Sequence, residues 1–286
     1  MEKIVIVTRI FQPGNFSRTV FENKAREIKK IMKFRDDLIE RIIVMVNNEK
    51  GNPLAEKEIK RGVSPTIAGI KEAFPQEVKE KIIIPRSCCE WGANPGSATA
   101  LNEGIRVAKE FNKKIEKIMI WSPEIEINGY QIHEAVNFME QRNLQVCGFL
   151  REGWWEKPQW NVVQNTAAIW EMEFLQTMGY FAPECNNMGE TIYQSEFGEI
   201  PIAGMEDFHL ILRALKKEGE IRWGMHGRAN PLKWDIDFPP GSQREKAHKM
   251  KVARQYAVMR YYSKLIFPHL TFKMVMGKLF SGYHQE

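Results

Sequence analysis

Residues 118–127 read Ile-Met-Ile-Trp-Ser-Pro-Glu-Ile-Glu-Ile, and the fold prediction starts from these ten residues. The first half of this stretch is a short apolar run, which is typical of a buried central strand in a parallel sheet. Pro123 ends the strand and leaves Glu124 at the strand's carboxyl end. Because ligands of open α/β sheets bind outside the carboxyl ends of the strands, we expect Glu124 to face a ligand.

Strand-like and helix-like segments alternate around this stretch. β-branched and apolar runs predict strands at residues 3–8, 42–46, 81–85 and 144–150. Apolar residues at helical spacing predict helices at residues 20–33, 97–111, 130–142, 169–178 and 208–217. The alternation predicts an α/β fold with a mostly parallel central sheet flanked by helices.

The 286 residues suffice for one large domain with an appendage. A Pro-Pro-Gly-Ser sequence at residues 239–242 is typical of a linker, so we expect a domain over 1–240 and a helical extension over 241–286. The extension is basic, with seven Lys or Arg and one Glu between residues 244 and 264. The net charge of the whole chain is +5, so the rest is close to neutral and nucleic acid is not an expected partner.

Cellular location is predicted from what the chain lacks. Its four cysteines are too few and too irregularly spaced for a disulfide scaffold or a zinc knuckle. The first residues have no signal-peptide pattern, and no apolar run is long enough to span a membrane. We therefore expect a cytoplasmic protein. The basic C-terminal helix, which is interleaved with aromatic residues, could dock at the inner face of a membrane, cover the main domain or form a dimer contact.

A second motif precedes the 118–127 stretch. Asn94 and Gly96 lie in a loop that leads into the predicted helix at 97–111, which contains Asn102. The free N–H groups at the start of a helix favour anions. The alternative is an ordinary capped helix after a turn.

Taken together, these motifs resemble the family 2 glycosyltransferases of the GT-A, Rossmann-like fold. In that family a segment similar to residues 94–108 precedes a strand ending in Asp-x-Asp, whose place is taken here by Ser122-Pro123-Glu124. Residues 174–181 resemble the acceptor-side helix and its Gly-Gly-Phe sequence, and residues 204–213 resemble the Glu-Asp motif. His226 lies where many members have a His, so the resemblance runs from Lys3 to His226.

The resemblance implies transfer of a sugar from a nucleotide diphosphate sugar to a hydroxyl acceptor, with inversion. Residues 1–127 would bind the donor and residues 128–240 the acceptor. Asp207 would be the general base and Glu206 would help to bind the acceptor. The alternative for both carboxylates is stabilisation of the helix that follows them.

The resemblance also implies a divalent metal, Mn²⁺ or Mg²⁺, held by oxygen ligands. Glu124 would be a ligand, with Glu126 and His226 as further ligands. Ser122 replaces the first Asp of the family motif and is a poorer ligand. Glu126 would share a face with Glu124 if the strand continues through both, and otherwise it is a solvated edge residue.

The residues expected to bind the donor follow the first two strands and surround the anion-binding loop. They are Thr8, Arg9, Phe11, Asn47, Asn48, Arg86, Asn94, Gly96, Asn102 and Ser122. Asn47-Asn48 stands where family members commonly have Asp-Asp. This difference leaves the identity of the donor's nucleotide base open. Arg86 would contact a phosphate. The alternative for each loop residue is an ordinary surface position.

Three Trp residues lie close together at positions 154, 155 and 160. Trp154, Trp155 and Trp160 would offer apolar platforms to a glycan or lipid-linked acceptor, or else pack the loop onto the domain.

Two other functions compete with catalysis of sugar transfer. One is a degenerate, non-catalytic member that binds a nucleotide sugar or a glycan. The other is a nucleotidyltransferase, which would need a Gly-rich loop after the first strand, where only Gly14 is present.

Overall fold

A computed structural model of the chain describes residues 3–12, 38–49, 53–86, 89–91, 96–123, 125–150, 162–164, 167–186, 192–195, 198–201, 205–227, 231–234 and 243–285. The helix predicted at residues 20–33 and the linker predicted at 239–242 lie outside these residues.

The strands, in chain order, are β1 (Ile4–Gln12), β2 (Ile39–Glu49), β3 (Ile82–Ile83), β4 (Cys89–Trp91), β5 (Lys117–Trp121), β6 (Ile125–Glu126), β7 (Val146–Phe149), β8 (Ala167–Glu171), β9 (Ile192–Ser195), β10 (Gly198–Pro201), β11 (Trp223–His226), β12 (Lys233–Trp234) and β13 (Tyr283–Gln285).

The α-helices are α1 (Pro53–Arg61), α2 (Pro65–Ala73), α3 (Glu77–Glu80), α4 (Gly96–Phe111), α5 (Gly129–Arg142), α6 (Met172–Thr177), α7 (Glu206–Glu218), α8 (Gln243–Ile266) and α9 (Phe272–Ser281), with a 3-10 helix at Pro183–Asn186. None of these described helices has the length and apolar character needed to cross a bilayer.

A nine-stranded sheet forms the centre of the described residues, in the order β13-β11-β7-β8-β5-β1-β2-β3, with β4 also pairing with β2. Every pair is parallel except the two that involve β8. The predicted mostly parallel sheet is therefore confirmed. Its parallel strands end at one common edge, which is called the carboxyl edge below.

Alternate residues of each central strand face opposite sides of the sheet, as the pleat requires. Val5 and Val7 belong to one buried cluster with residues of α4, α7, α8 and α9, whereas Ile4 and Ile6 belong to another with residues of α2 and α5. Because both faces are covered by helices, the middle of each central strand is mostly apolar, and all five residues of β5 are buried. Helix α4 lies especially close, since a Cβ at Gly104 would be 2.4 Å from Cγ1 of Val7.

The helix predicted at residues 169–178 is wrong in its first three residues. Residues 167–171 form β8, which runs antiparallel between β5 and β7, and the helix begins only at Met172. Both neighbouring strands supply backbone partners for Ala167–Glu171, and Ala168 and Ile169 are buried on opposite faces. Sheet pairing therefore outweighs the helical spacing of these apolar residues.

The described part of the predicted C-terminal extension packs into the same core as the sheet. Tyr262, Val275 and Leu279 are fully buried and belong to the cluster that covers one face of the sheet. The indole N–H of Trp223 donates to the carbonyl of Leu279 at 2.9 Å. Strand β13 then pairs with β11, so α8, α9 and β13 complete one end of the fold.

Candidate active site

The carboxyl edge brings together side chains from strands that are distant in sequence. Thr8 of β1 and Asn47 of β2 are fully buried, and Thr8 lies beside both Val44 and Trp121. The Thr8 hydroxyl has no hydrogen-bond partner among the described residues. Ser122 follows β5 directly and is half-buried. The predicted donor-binding residues Thr8, Asn47 and Ser122 therefore lie along one edge.

The stretch after β5 is a tight turn rather than a continued strand. The carbonyl of Ser122 accepts from the N–H of Ile125 at 2.9 Å, and the indole of Trp121 donates to the carbonyl of Ile125 at 2.8 Å. Strand β6 then leaves the main sheet, and Glu126 lies opposite Lys233 of β12.

This turn changes the expectation for the two carboxylates of the stretch. The shared face of Glu124 and Glu126 required one unbroken strand, and that condition is not met because β5 ends at Trp121. Glu126 is exposed on a separate two-stranded ribbon. Glu124 lies outside the described residues, so its role as a metal ligand stays a prediction.

Glu206 and Asp207 form the first turn of α7. Four residues, 219–222, join the end of α7 to the start of β11, so the helix runs back along the sheet and begins toward the carboxyl edge. Both carboxylates are buried, at 4% and 5% exposure. The positive end of the helix dipole stabilises negative charge at this point. One oxygen of Asp207 accepts from the backbone N–H of Phe208 at 2.7 Å.

The residue before this pair has an unusual backbone. Met205 has φ 56° and ψ 42°, in the left-handed region that side-chain-bearing residues seldom adopt. Such strain persists only where surrounding contacts enforce it, and it is frequent at functional sites. Here the left-handed turn immediately precedes the Glu206-Asp207 pair.

Helix α8 places the aromatic side chain of Tyr262 beside the two carboxylates. The ring of Tyr262 meets that of His209 at 5.0 Å in an edge-to-face arrangement, and its hydroxyl donates to the carbonyl of Cys185 at 3.3 Å. Burial raises the pKa of the Tyr262 hydroxyl well above its usual value, with smaller contributions from Cys185, Glu206 and Asp207. Tyr262 therefore stays protonated at neutral pH and keeps its hydrogen bond to Cys185.

His226 ends β11 at the same edge but points to the opposite face of the sheet from α7. It is 3% exposed, with the rings of Phe138 and Phe149 at 6.1 and 6.0 Å. Its Nε2 lies 4.0 Å from a carboxylate oxygen of Glu134 on α5. No sequence signal connects Glu134 with His226, because their proximity depends on the packing of α5 against β11.

A metal centre needs several such ligands in one place. In the part of the chain that the structure describes, no three His, Cys, Asp or Glu side chains are grouped closely enough to hold a metal ion. Glu126 and His226 belong to different sheets. The described residues therefore do not form a metal site by themselves.

The remaining predicted donor-binding residues have different surroundings. Arg9 is half-buried and Arg86 is exposed after β3. Asn102 bonds through both ends of its amide to the backbone of Phe181. Gly96 begins α4. The side chains of Phe11 and Asn48, and all of Asn94, Trp154, Trp155 and Trp160, lie outside the described residues.

Comparison with known proteins establishes the class of fold. No protein-family model and no curated protein matches the sequence. The solved structures similar to this chain include TarS from S. aureus, with a TM-score of 0.53 at 12% identity over 98% of this chain and 42% of that one. This chain thus spans less than half of that TarS chain.

Two structures of TarS residues 1–349 are similar as well. The complex with UDP-GlcNAc has a TM-score of 0.51 at 14% identity and is covered over 71% of its length. The complex with UDP has a TM-score of 0.52 at 12% identity and is covered over 70% of its length. Both alignments cover 98% of this chain. The likeness confirms the predicted α/β fold of the GT-A type.

Proposed function

We propose that this protein is a glycosyltransferase that moves a sugar from a nucleotide diphosphate sugar to a hydroxyl acceptor with inversion. The observation that carries the proposal is the buried Glu206-Asp207 pair at the start of α7, near the carboxyl edge where Thr8, Asn47 and Ser122 lie. Open α/β sheets bind ligands at this edge. Similar TarS structures hold UDP-GlcNAc and UDP, which supports a nucleotide sugar as the donor.

Asp207 is the proposed general base. A base beside the attacking hydroxyl removes its proton as the new glycosidic bond forms and the bond from the sugar to the diphosphate breaks. The start of α7 favours negative charge on the Asp207 carboxylate, and the hydrogen bond from the N–H of Phe208 helps to fix its direction, which suits this task. Glu206, beside it in the same turn, is proposed to hold the acceptor hydroxyl.

Metal assistance is the part of the proposal that depends most on Glu124. A divalent cation, Mn²⁺ or Mg²⁺, supplies neutralisation of the charge that develops on the departing diphosphate. Glu126 and His226 are the described candidates for its further ligands, and they do not form a site without Glu124. The proton transfer proposed for Asp207 does not depend on the ion.

The acceptor is proposed to be a glycan or a lipid-linked glycan that contacts Trp154, Trp155 and Trp160. A peripheral position at the cytoplasmic face of a membrane fits this choice. Near the turn between α8 and α9, Leu265 and Met274 are 51% and 52% exposed, and Lys264 and Lys273 are exposed beside them in sequence. Exposed apolar and basic side chains together favour an anionic lipid surface.

A non-catalytic binding protein of the same fold is the second candidate. Ser122 in place of an acidic ligand and Asn47-Asn48 in place of an acidic pair favour it. Such a protein binds the donor but does not turn it over, so binding and turnover must be measured separately.

A donor screen tests the proposal. Hydrolysis and transfer are measured with uridine, guanosine and thymidine diphosphate sugars in the presence of Mn²⁺, and donor affinity is measured by calorimetry. Asp207→Asn should lower turnover roughly 100- to 10,000-fold while donor affinity is kept. Glu218→Gln, an exposed carboxylate at the far end of the same helix, is the matched control. Full turnover in Asp207→Asn would rule out the base assignment, and donor binding without turnover in the wild type would favour the binding protein.

A further inference from the structure

The turn that follows α6 has an unusual backbone and is called the 178–181 turn. Gly179 and Tyr180 both have positive φ, at 74° and 64°. The N–H of Gly179 donates to Gln176 and that of Tyr180 donates to Leu175, which is the double bond of a Schellman helix end. Two left-handed residues in succession, one of them a Tyr, require contacts that hold them in place.

Helix α7 provides the first of these contacts. Nη2 of Arg213 donates to the carbonyls of Met178 and Tyr180 at 2.8 and 2.6 Å, and Nζ of Lys217 donates to the carbonyl of Thr177 at 3.2 Å. Carbonyls at the end of a helix have no intrahelical partners, so these cationic donors satisfy them. The turn is thereby fastened to the helix that carries Asp207.

Helix α4 provides the second contact. Nδ2 of Asn102 donates to the carbonyl of Phe181 at 2.7 Å, and the N–H of Phe181 donates back to Oδ1 of Asn102 at 3.1 Å. The Phe181 ring is buried edge-on against Trp170 of β8 at 5.4 Å. One side chain thus satisfies both backbone groups of Phe181 and fastens the turn to α4.

We propose that Asn102 and Arg213 are positioning residues, which act through the 178–181 turn to fix α7 relative to α4. Helix α4 opens from the predicted donor-phosphate loop, and α7 begins with the Glu206-Asp207 pair. The two side chains therefore set how far the proposed base lies from the donor. This inference rests on the proposed function, and it gives Asn102 a task other than direct contact with the donor.

The distance matters because small displacements of a reacting group are costly. A shift of about 1 Å in a catalytic group can lower a rate roughly 100-fold. Asn102→Asp keeps the acceptor for the Phe181 N–H but places a second carboxylate oxygen against the Phe181 carbonyl. Arg213→Lys keeps the charge but has a shorter reach and removes the planar Nη2 group that donates to both carbonyls.

The kinetic test compares these two variants with Arg106→Lys, an exposed Arg on α4 whose partners are the surface residues Glu103 and Glu110. We expect Asn102→Asp and Arg213→Lys each to lower kcat roughly 10- to 100-fold while calorimetric affinity for the nucleoside diphosphate is kept, and Arg106→Lys to change neither. Lost diphosphate affinity in Asn102→Asp together with wild-type kcat in Arg213→Lys would overturn the proposal in favour of direct donor contact.

Hydrogen exchange separates this proposal from the proposed function. If the turn joins the two helices, Asn102→Asp should speed exchange of the amides in the first turns of α7 roughly tenfold, although Asn102 is not part of that helix. Unchanged exchange there would overturn the positioning role even in an active enzyme. A wild-type protein without turnover would instead overturn the proposed function. The hydrogen-exchange result would then still show whether the 178–181 turn connects α4 with α7.

Discussion

The indole N–H of Trp223 and the carbonyl of Leu279 are joined by a buried 2.9 Å hydrogen bond. This bond connects β11, which ends in His226, with α9 from the C-terminal segment. The C-terminal helices therefore belong to the core that supports the candidate site. Removing their buried contacts should lower the free energy of unfolding of the whole protein.

Leu279→Ala tests this packing. Leu279 is fully buried on α9, so removing its side chain should lower the free energy of unfolding by about 2–5 kcal/mol. Met274→Ala on the same helix is the matched control, because Met274 is 52% exposed, and should stay within about 0.5 kcal/mol. Urea unfolding measures both. Equal effects would mean that α9 does not pack as described.

Gly104→Ala tests the approach of α4 to the sheet. The new methyl group would lie 2.4 Å from Cγ1 of Val7 and 3.3 Å from Cγ of Met45, so the helix or the strand must shift. We expect a loss of about 1–3 kcal/mol in thermal or urea unfolding.

The matched control for Gly104→Ala is Gly277→Ala, inside α9, where an added Cβ meets nothing within 4 Å. There the higher helix propensity of Ala should raise stability by up to about 1 kcal/mol. A stabilising Gly104→Ala would contradict the close packing of α4.

Tyr262→Phe tests the buried hydroxyl beside the carboxylates. Because burial raises the pKa of Tyr262 in the folded protein, the unfolded chain loses this proton first as pH rises. Above the unfolded value of about 10, stability contributed by the protonated Tyr should fall by about 1.4 kcal/mol per pH unit. Urea unfolding between pH 9 and 11 should show this extra decline in the wild type but not in Tyr262→Phe. Parallel pH curves would mean that the hydroxyl is solvated.

His226→Gln tests the metal part of the proposal. If His226 is a ligand, the concentration of Mn²⁺ needed for half-maximal turnover should rise roughly tenfold or more, and a chelator should suppress the wild-type activity. His269→Gln, in the exposed turn between α8 and α9, is the control. Wild-type turnover that persists without any divalent metal would remove the metal from the mechanism.

The middle of the central sheet was predictable because β1 and β2 are long runs rich in β-branched residues and β5 is an apolar run from Ile118. Strand β8 was missed because its apolar residues continue into α6 at helical spacing, and only its pairing with β5 and β7 decides the outcome. Strand β13 has no β-branched residue and forms because β11 offers a free edge for pairing.

The candidate site was predictable only where its residues are neighbours in the sequence. The Glu206-Asp207 pair at a helix start follows from local sequence, and the structure begins α7 at Glu206. The end of β5 before Glu124 was predicted from Pro123, but the pairing of residues 125–126 with β12 was not, because an apolar residue at position 125 looks the same in a separate ribbon and in the main sheet. The neighbours of the site, Tyr262 and Glu134, come from distant helices and have no local signature.

The 178–181 turn and the 3-10 helix after it have a consequence for the order of folding. Their side-chain bonds join residues 79 apart (Asn102 and Phe181), 35 apart (Arg213 and Met178) and 77 apart (Tyr262 and Cys185). Contacts so distant in sequence form only after the entropy of closing long loops has been overcome. We expect the amide of Phe181 to be among the last protected in pulse-labelled refolding. The 178–181 turn would then bond to α4 and α7 only after the central sheet and its helices have collapsed.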